Sequence, residues 1–536
     1  MNVVVAQINP QVGNIEKNTE RILKAVNEAQ SLKAQLLIFP ELAMVGYPPR
    51  DLVYSPSLRK RQDAGLAQIR ATLGDMTAII GCLTANPHHF GRPLRNSAAV
   101  LHARQETRYY HKQLLPTYDV FDEERYFEPG LEPLIWNLNG SQVGVTICED
   151  IWNFDGFRER HYRRQPLEGY RDRGLSLLVN LSSSPYRKGR PQARIDLLAR
   201  VSQVVKCPVV YCNQVGGNDE LVFDGCSLVT DSIGRVTTQG PAFEEAVFSA
   251  MTTPSSWPQR PIEWTRDALS LGLKDFLKKN GASRVVLGIS GGIDSSVVAA
   301  LATRALGPDA VLGVMMPSQF TSSASREDSK TLASQLKIRT VEVPIDDSIA
   351  TLSKSLSAGV EQPLNELAQE NLQPRVRMAI LMAIANQEGR FLLNTSNKSE
   401  LATGYSTQYG DGAGALSVIG DLVKEEVYQL GEDLNRWCPA IPPRVFTRAP
   451  TAELKPNQTD QDRLPPYPIL DQMVRQVLEE GIDFDSLTGF EEKWIRTFRD
   501  LYRESEFKRR QFPPILRVTR NAFGIGRRIP LAAQID

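Results

Sequence analysis

The chain has 536 residues, with 62 Lys and Arg balanced against 62 Asp and Glu, and only five His and six Cys. A prior of about 150 residues per domain gives two to four domains, and the balanced charge excludes the basic field that nucleic acid or an anionic membrane requires. Six cysteines are too few for a disulfide scaffold, and no apolar run reaches the roughly 18 residues that span a bilayer, so the expectation is a soluble cytoplasmic protein acting on small molecules.

In chain order, short apolar strands are predicted at Val3–Ile8, Leu36–Phe39, Ala78–Cys82, Ala98–Leu101, Val143–Ile147, Leu175–Asn180 and Val209–Cys212. Helical stretches separate them, which is an α/β pattern. Ile22, Leu23, Val26, Ala29 and Leu32 form a helix-period stripe over 18–32, with Asn18 or Thr19 available as its cap. The stretch 252–262 carries three prolines and two serines without periodicity and reads as a linker, dividing the chain into domains at 1–251 and 263–536. A second α/β series follows, with strands at 285–289, 311–316, 340–343 and 391–395 and helices at 295–306, 323–336 and 374–387. That alternation implies a doubly wound parallel sheet with ligands at the carboxyl ends of its strands. The tail from Thr451 reads as loops and helices packed around it. All five histidines (His88, His89, His102, His111 and His161) lie in the first third, so the chemistry of the second half rests on carboxylates, amides and cations.

Directly behind the run Val285-Val286-Leu287-Gly288-Ile289 stands Ser290-Gly291-Gly292-Ile293-Asp294-Ser295-Ser296. Adjacent glycines let backbone N–H groups turn inward, and the serines add hydroxyl donors at the start of a helix, which suits phosphate oxygens. The spacing is not the Walker pattern, and the loop holds no lysine. It resembles the pyrophosphatase-type loop of enzymes that split ATP between its α- and β-phosphates to activate a carboxylate or carbonyl. The resemblance implies that Asp294 holds a magnesium ion.

In the first half, three residues stand at strand ends: Glu41 after Leu36–Pro40, Lys112 within Tyr109–Pro116, and Cys148 after Gly144–Ile147. In this order and setting they match the Glu-Lys-Cys triad of the nitrilase and carbon-nitrogen hydrolase superfamily, over about residues 1 to 250. The resemblance implies an α-β-β-α sandwich in which Cys148 is the nucleophile, Glu41 the base and Lys112 the cation beside the oxyanion. A second carboxylate often supports that lysine, and Glu124 is the candidate. In the glutamine-hydrolysing branch a tyrosine six residues beyond the lysine and a Ser-Pro-Tyr-x-x-Gly-basic string contact the amino acid. Tyr118, Ser184 and Arg190 fill those places, Arg190 as partner of the α-carboxylate.

Two further strings, Glu370 to Met378 and Asn394 to Tyr405 continuing to Asp411, resemble the signatures of NAD synthetase. With the nitrilase-like half in front, the whole chain resembles the glutamine-dependent NAD synthetase family. The resemblance implies adenylation of the nicotinate carboxylate of deamido-NAD, release of pyrophosphate, and displacement of AMP by ammonia. It places ATP on Gly288, Ile289, Ser290, Gly291, Gly292, Ile293, Asp294, Ser295 and Thr395. Deamido-NAD falls on Asn371, Arg375, Glu400 and Lys508, with Glu400 joining Asp294 on Mg2+. Ammonia-using relatives often carry a basic residue where Gln408 stands, and no phosphate role is given to that position. A homo-oligomer and an internal route for ammonia are further expectations. The alternatives are another ATP-pyrophosphatase amidotransferase, such as one aminating a purine nucleotide, and a nucleotide-binding regulator without catalysis.

Overall fold

Side chains alternate across the first strand, Val3–Gln7, and this sets the layering of the N-terminal half. Val3 and Val5 point into one apolar cluster while Val4 and Ala6 point into another. The computed structural model describes all residues except 155, 156, 159–161, 252–255, 360–362 and 533–536, with the backbone alone at 157 and 158. Two units emerge, Met1–Gln259 and Arg260–Asp536.

In the first unit, one six-stranded sheet runs in the order Ala246–Ser249, Val3–Gln7, Leu36–Ile38, Thr77–Ala85, Leu94–Leu101 and Arg108–His111. A second runs Val236–Gln239, Leu228–Thr230, Val209–Asn213, Leu177–Ser182, Ser141–Ile147 and Leu134–Leu138. Val5, Ile38 and Ile79 of the first sheet share a core with Val145, Val179 and Val210 of the second, so the sheets face each other. Outside the first sheet lie the helices Ile15–Ser31 and Pro56–Thr72, through Ile22, Val26 and Ile69; outside the second lies Arg190–Val205, through Leu197, Leu198 and Val201. The layering is α-β-β-α. The first helix starts earlier than the stripe suggested. Asn14 accepts from the Lys17 N–H as cap, while Asn18 is buried and bridges Gln11 and Met44 carbonyls.

The second unit holds a five-stranded parallel sheet ordered Arg339–Glu342, Val311–Met315, Val285–Gly288, Phe391–Asn394 and Leu416–Ser417. The chain steps outward from Val285–Gly288 and then returns to its other side, which leaves a switch point at that strand's carboxyl end. The helix Glu366–Glu388 covers one face through Val376, Leu381 and Ala385, and it contains Pro374 rather than beginning there. The end of the expected linker is also helical. Pro261 occupies the first position of Pro261–Lys279, where its missing N–H costs no helical bond, and the Arg260 N–H meets the Glu263 carboxylate at 3.1 Å. Residues 252–255 of that linker, and His161, lie outside the described residues. Among the described residues no helix is long and apolar enough to cross a membrane.

Candidate active sites

The strand Ser141–Ile147 ends in a tight turn, and Cys148 takes it with φ +42°, an unusual conformation for a residue bearing a Cβ. Asp150 fixes this turn. Its carboxylate accepts from the N–H groups of Ile147, Gln113 and Leu114 and from the Tyr110 hydroxyl, all between 2.7 and 3.0 Å, tying the cysteine turn to the segment that carries Lys112. The Lys112 ammonium lies 2.7 Å from Glu41 and 2.8 Å from Glu123, with all three side chains buried. Glu41 also accepts from Asn96 Nδ2 at 2.7 Å and from the Ser183 N–H at 3.0 Å, so its position is set by three separate strand ends.

The supporting carboxylate is Glu123, not Glu124. Glu124 is exposed, whereas the 3-10 turn Glu123–Arg125 directs its first side chain inward to Lys112 and the Tyr47 hydroxyl. Burial works against the Lys112 charge, but Glu123 and Glu41 outweigh it and hold the ammonium on. Burial and the Glu41 carboxylate push the Cys148 thiol up, with Lys112 opposing, so the sulfur rests as a thiol.

Tyr118 and Arg190 flank a carboxylate that the sequence did not single out, and Ser184 meets Arg190. Glu149 is buried and accepts from the hydroxyls of Tyr118, at 3.0 Å, and Tyr162, at 2.9 Å. Arg190 Nε reaches Ser184 Oγ at 3.4 Å and its guanidinium lies 3.9 Å over the Trp152 ring. A buried anion and a cation therefore stand side by side next to Cys148, a pattern suited to a zwitterionic amino acid.

In the second unit the loop after Val285–Gly288 opens the helix Ile293–Leu306. Gly291 has φ +79°, and a Cβ there would meet the Ser325 carbonyl oxygen at 2.4 Å. Ser290 Oγ receives the Gly292 N–H at 3.3 Å and lies 3.1 Å from Ser295 Oγ. The loop borders a cavity of about 320 Å³ that Thr395, Asp294, Glu400 and Lys424 also line. Asp294 accepts from Asn397 Nδ2 at 2.9 Å and from Lys424 Nζ at 2.5 Å, and the same ammonium lies 3.5 Å from Glu400. Glu400 is held by a capping box with Asn397 on the helix Lys398–Thr403.

Two carboxylates converging on one point suit a hard divalent cation. Burial first, and then the Asp294 charge, push Glu400 up to about 8, an excess of negative charge that such an ion relieves. Among the described residues no three His, Cys, Asp or Glu side chains form a ready metal cluster. Lys424 was missed by the sequence reading, although it carries a signal: it starts the helix Lys424–Trp437, where the dipole disfavours a cation. Asn371, Arg375 and Lys508 do not line the cavity. They gather on the adjoining stretch 404–408, where Asn371 accepts from Thr407 Oγ1 at 2.7 Å, Arg375 donates to the Gln408 carbonyl at 3.2 Å, and Lys508 donates to the Gly404 and Ser406 carbonyls at 2.7 and 2.9 Å.

Residues 2–259 match the family model of carbon-nitrogen hydrolases, and residues 266–512 that of NAD synthases. The chain is 42% identical to a glutamine-dependent NAD(+) synthetase of Synechocystis sp., covering 99% of this chain and 98% of that one. It is 38% identical, at the same coverage, to the enzyme of that name from Thermotoga maritima. A solved glutamine-dependent NAD+ synthetase of Acinetobacter baumannii, in complex with adenosine diphosphate, superposes over 99% of this chain and 98% of its own, with TM-score 0.78 and 33% identity. With both halves matched in order and relatives aligned end to end, the chain belongs to the glutamine-dependent NAD(+) synthetase family.

Proposed function

We propose that this protein makes NAD by joining two reactions, glutamine hydrolysis at Cys148 and amidation of adenylated deamido-NAD at the Ser290–Ser296 loop. In the first, Glu41 takes the thiol proton as sulfur attacks the carboxamide carbon, and Lys112 supplies a cation to the developing oxyanion. The C–N bond breaks, Glu41 returns the proton to the departing ammonia, and water then cleaves the thioester to glutamate with Glu41 again as base. Glu123 holds Lys112 from the far side. Glu149 and Arg190 bind the α-ammonium and α-carboxylate of glutamine, with Tyr118 and Ser184 orienting them.

In the second reaction, a nicotinate carboxylate oxygen attacks the α-phosphorus of ATP, the bond to the bridging oxygen breaks, and pyrophosphate leaves. Ammonia then attacks the acyl carbon, AMP departs with the electron pair, and the amide nitrogen loses its extra proton. Loop N–H groups from Gly288 to Ser295, together with Thr395, hold the nucleotide, and Lys424 holds the Asp294 and Glu400 carboxylates in place beside it. Asp294 and Glu400 would hold Mg2+, which supplies Lewis-acid neutralisation of the phosphates. Asn371, Arg375 and Lys508 receive deamido-NAD beside the cavity. We assign a cytoplasmic homo-oligomer using no nucleic-acid or membrane partner.

The observation that carries this reading is the ionic ring of Glu41, Lys112 and Glu123 at Cys148, on the same chain as a phosphate loop facing two convergent carboxylates. The test measures NAD, AMP and glutamate together with either glutamine or high ammonium as nitrogen source. Cys148→Ala should lose glutamine-driven NAD formation and keep the ammonium-driven reaction; loss of both would refute two separable sites.

A further inference from the structure

We propose that Arg448 is a further catalytic residue of the synthetase reaction, the cation that takes up negative charge on pyrophosphate as it leaves. Cleavage of the bond between the α-phosphorus and the bridging oxygen sends the electron pair to the pyrophosphate, so a cation aimed there acts in the transition state. The loop Ser290–Ser296 contributes N–H groups and hydroxyls but no cation of its own. Lys424 lines the same cavity, yet its charge is committed to Asp294 and Glu400.

Arg448 is placed differently. It follows the helix Pro443–Thr447 and lines the cavity, and its Nη2 donates to the Gly291 carbonyl at 2.7 Å, which puts the guanidinium on the phosphate loop itself. Its Nη1 is buried and has no hydrogen-bond partner among the described residues, a costly state unless a ligand supplies an acceptor. The Asp328 carboxylate stands 3.6 Å from that nitrogen, and Asp328 takes closer bonds of 3.0 to 3.3 Å from Arg444. Arg444 thus satisfies Asp328, and Arg448 keeps positive charge for the loop. Two other cavity-lining arginines bond to backbone carbonyls outside the Ser290–Ser296 loop, Arg326 to Ser318 and Arg377 to Met316. A planar guanidinium can hold the Gly291 carbonyl with one nitrogen and a phosphate oxygen with another.

The assignment rests on the adenylation reading; failure of that reading would show as no AMP formation by the unaltered protein, whereas failure of the assignment leaves that turnover intact. The experiment uses the full chain with deamido-NAD, ATP, magnesium and ammonium, and compares inhibition by added pyrophosphate with inhibition by AMP. Arg448→Gln can still donate to the Gly291 carbonyl but carries no charge. It should lower kcat and weaken pyrophosphate inhibition by about tenfold or more, with AMP inhibition within about twofold, as expected for loss of a charge-assisted contact. Arg448→Lys should recover part of both losses. In the unaltered protein, pyrophosphate but not AMP should protect Arg448 from an arginine-selective dicarbonyl, read by mass spectrometry, a measurement that does not depend on how a variant folds. Equal weakening of pyrophosphate and AMP, unchanged pyrophosphate inhibition, or no protection by pyrophosphate would each overturn the assignment.

Discussion

Lys112 and Glu41 form a wholly buried ion pair, 2.7 Å from ammonium nitrogen to carboxylate oxygen, with neither side chain more than 1% exposed. A pair this deep gains little net stability over apolar packing, because desolvating two charges offsets most of their attraction. Its value lies in position. The pair holds a carboxylate and an ammonium near Cys148 in surroundings that exclude water, where the base and cation roles proposed for them would be stronger than at a surface.

Glu123 completes that ring, and its neighbour does not. Glu123→Gln should reduce glutamine-driven kcat by about 100-fold or more, the scale of losing an electrostatic partner at an acyl-transfer site, while ammonium-driven synthesis persists. Glu124→Gln should leave both rates within about twofold, as expected of an exposed side chain. Steady-state kinetics of the two variants with each nitrogen source checks this, and a larger effect from Glu124 would reverse the assignment.

At the other site, Asp294→Asn should abolish NAD formation with either nitrogen source. Chelation of magnesium should do the same while glutamate release from glutamine continues, because no group at Cys148 needs a metal. Near-normal ammonium-driven turnover by Asp294→Asn would remove that residue from the metal role.

Gly291→Ala introduces a Cβ at φ +79° and 2.4 Å from the Ser325 carbonyl oxygen. The backbone strain alone costs about 1–3 kcal/mol, and relief of the clash must displace the loop. The expected result is a lowered Tm together with a raised KM for ATP. An unchanged KM would show that the loop tolerates the shift.

His111 should make folding depend on pH. Burial, with the Arg95 guanidinium adding to it, pushes its ring down to about 4 from 6.5. The unfolded chain binds a proton there near pH 6.5 and the folded chain does not until about pH 4. Stability present above pH 6.5 is therefore lost progressively as pH falls toward 4. In His111→Gln, whose amide can either donate to or accept from the Ser97 hydroxyl now 2.8 Å from Nδ1, the fall in Tm over this range should be shallower. An identical slope in both proteins would exclude His111 as a source.

Much of this molecule was legible along the chain because its chemistry sits at strand ends. Glu41, Cys148 and the Ser290–Ser296 loop each follow an apolar run that could only be a buried strand, and Lys112 follows the edge strand Arg108–His111. Other features were not legible. Whether Glu123 or Glu124 faces Lys112 depends on the register of one 3-10 turn, and a one-residue change in register reverses which side chain points inward. The cap at Asn14 was missed because the apolar stripe begins at Ile22, about two turns inside the helix, and Pro374 was misread as a helix start because the Glu366–Glu388 helix tolerates it internally.

The sequence by itself determined the α/β class and set the Ser290–Ser296 loop behind a buried strand, since both rest on local spacing, whereas the roles proposed for Glu41, Lys112 and Cys148 rest on resemblance to the carbon-nitrogen hydrolases. Tertiary structure alone decided which charges meet. Lys112 lies 71 residues from Glu41 and Lys424 lies 130 from Asp294, yet each pair closes to 2.7 Å or less. Coulomb and hydrogen-bond energies depend on distance in space, to which separation along the chain is no guide. The packing of sheets and helices around Glu149, Lys424 and Arg448 therefore had to be seen before those residues could be given a part in the chemistry.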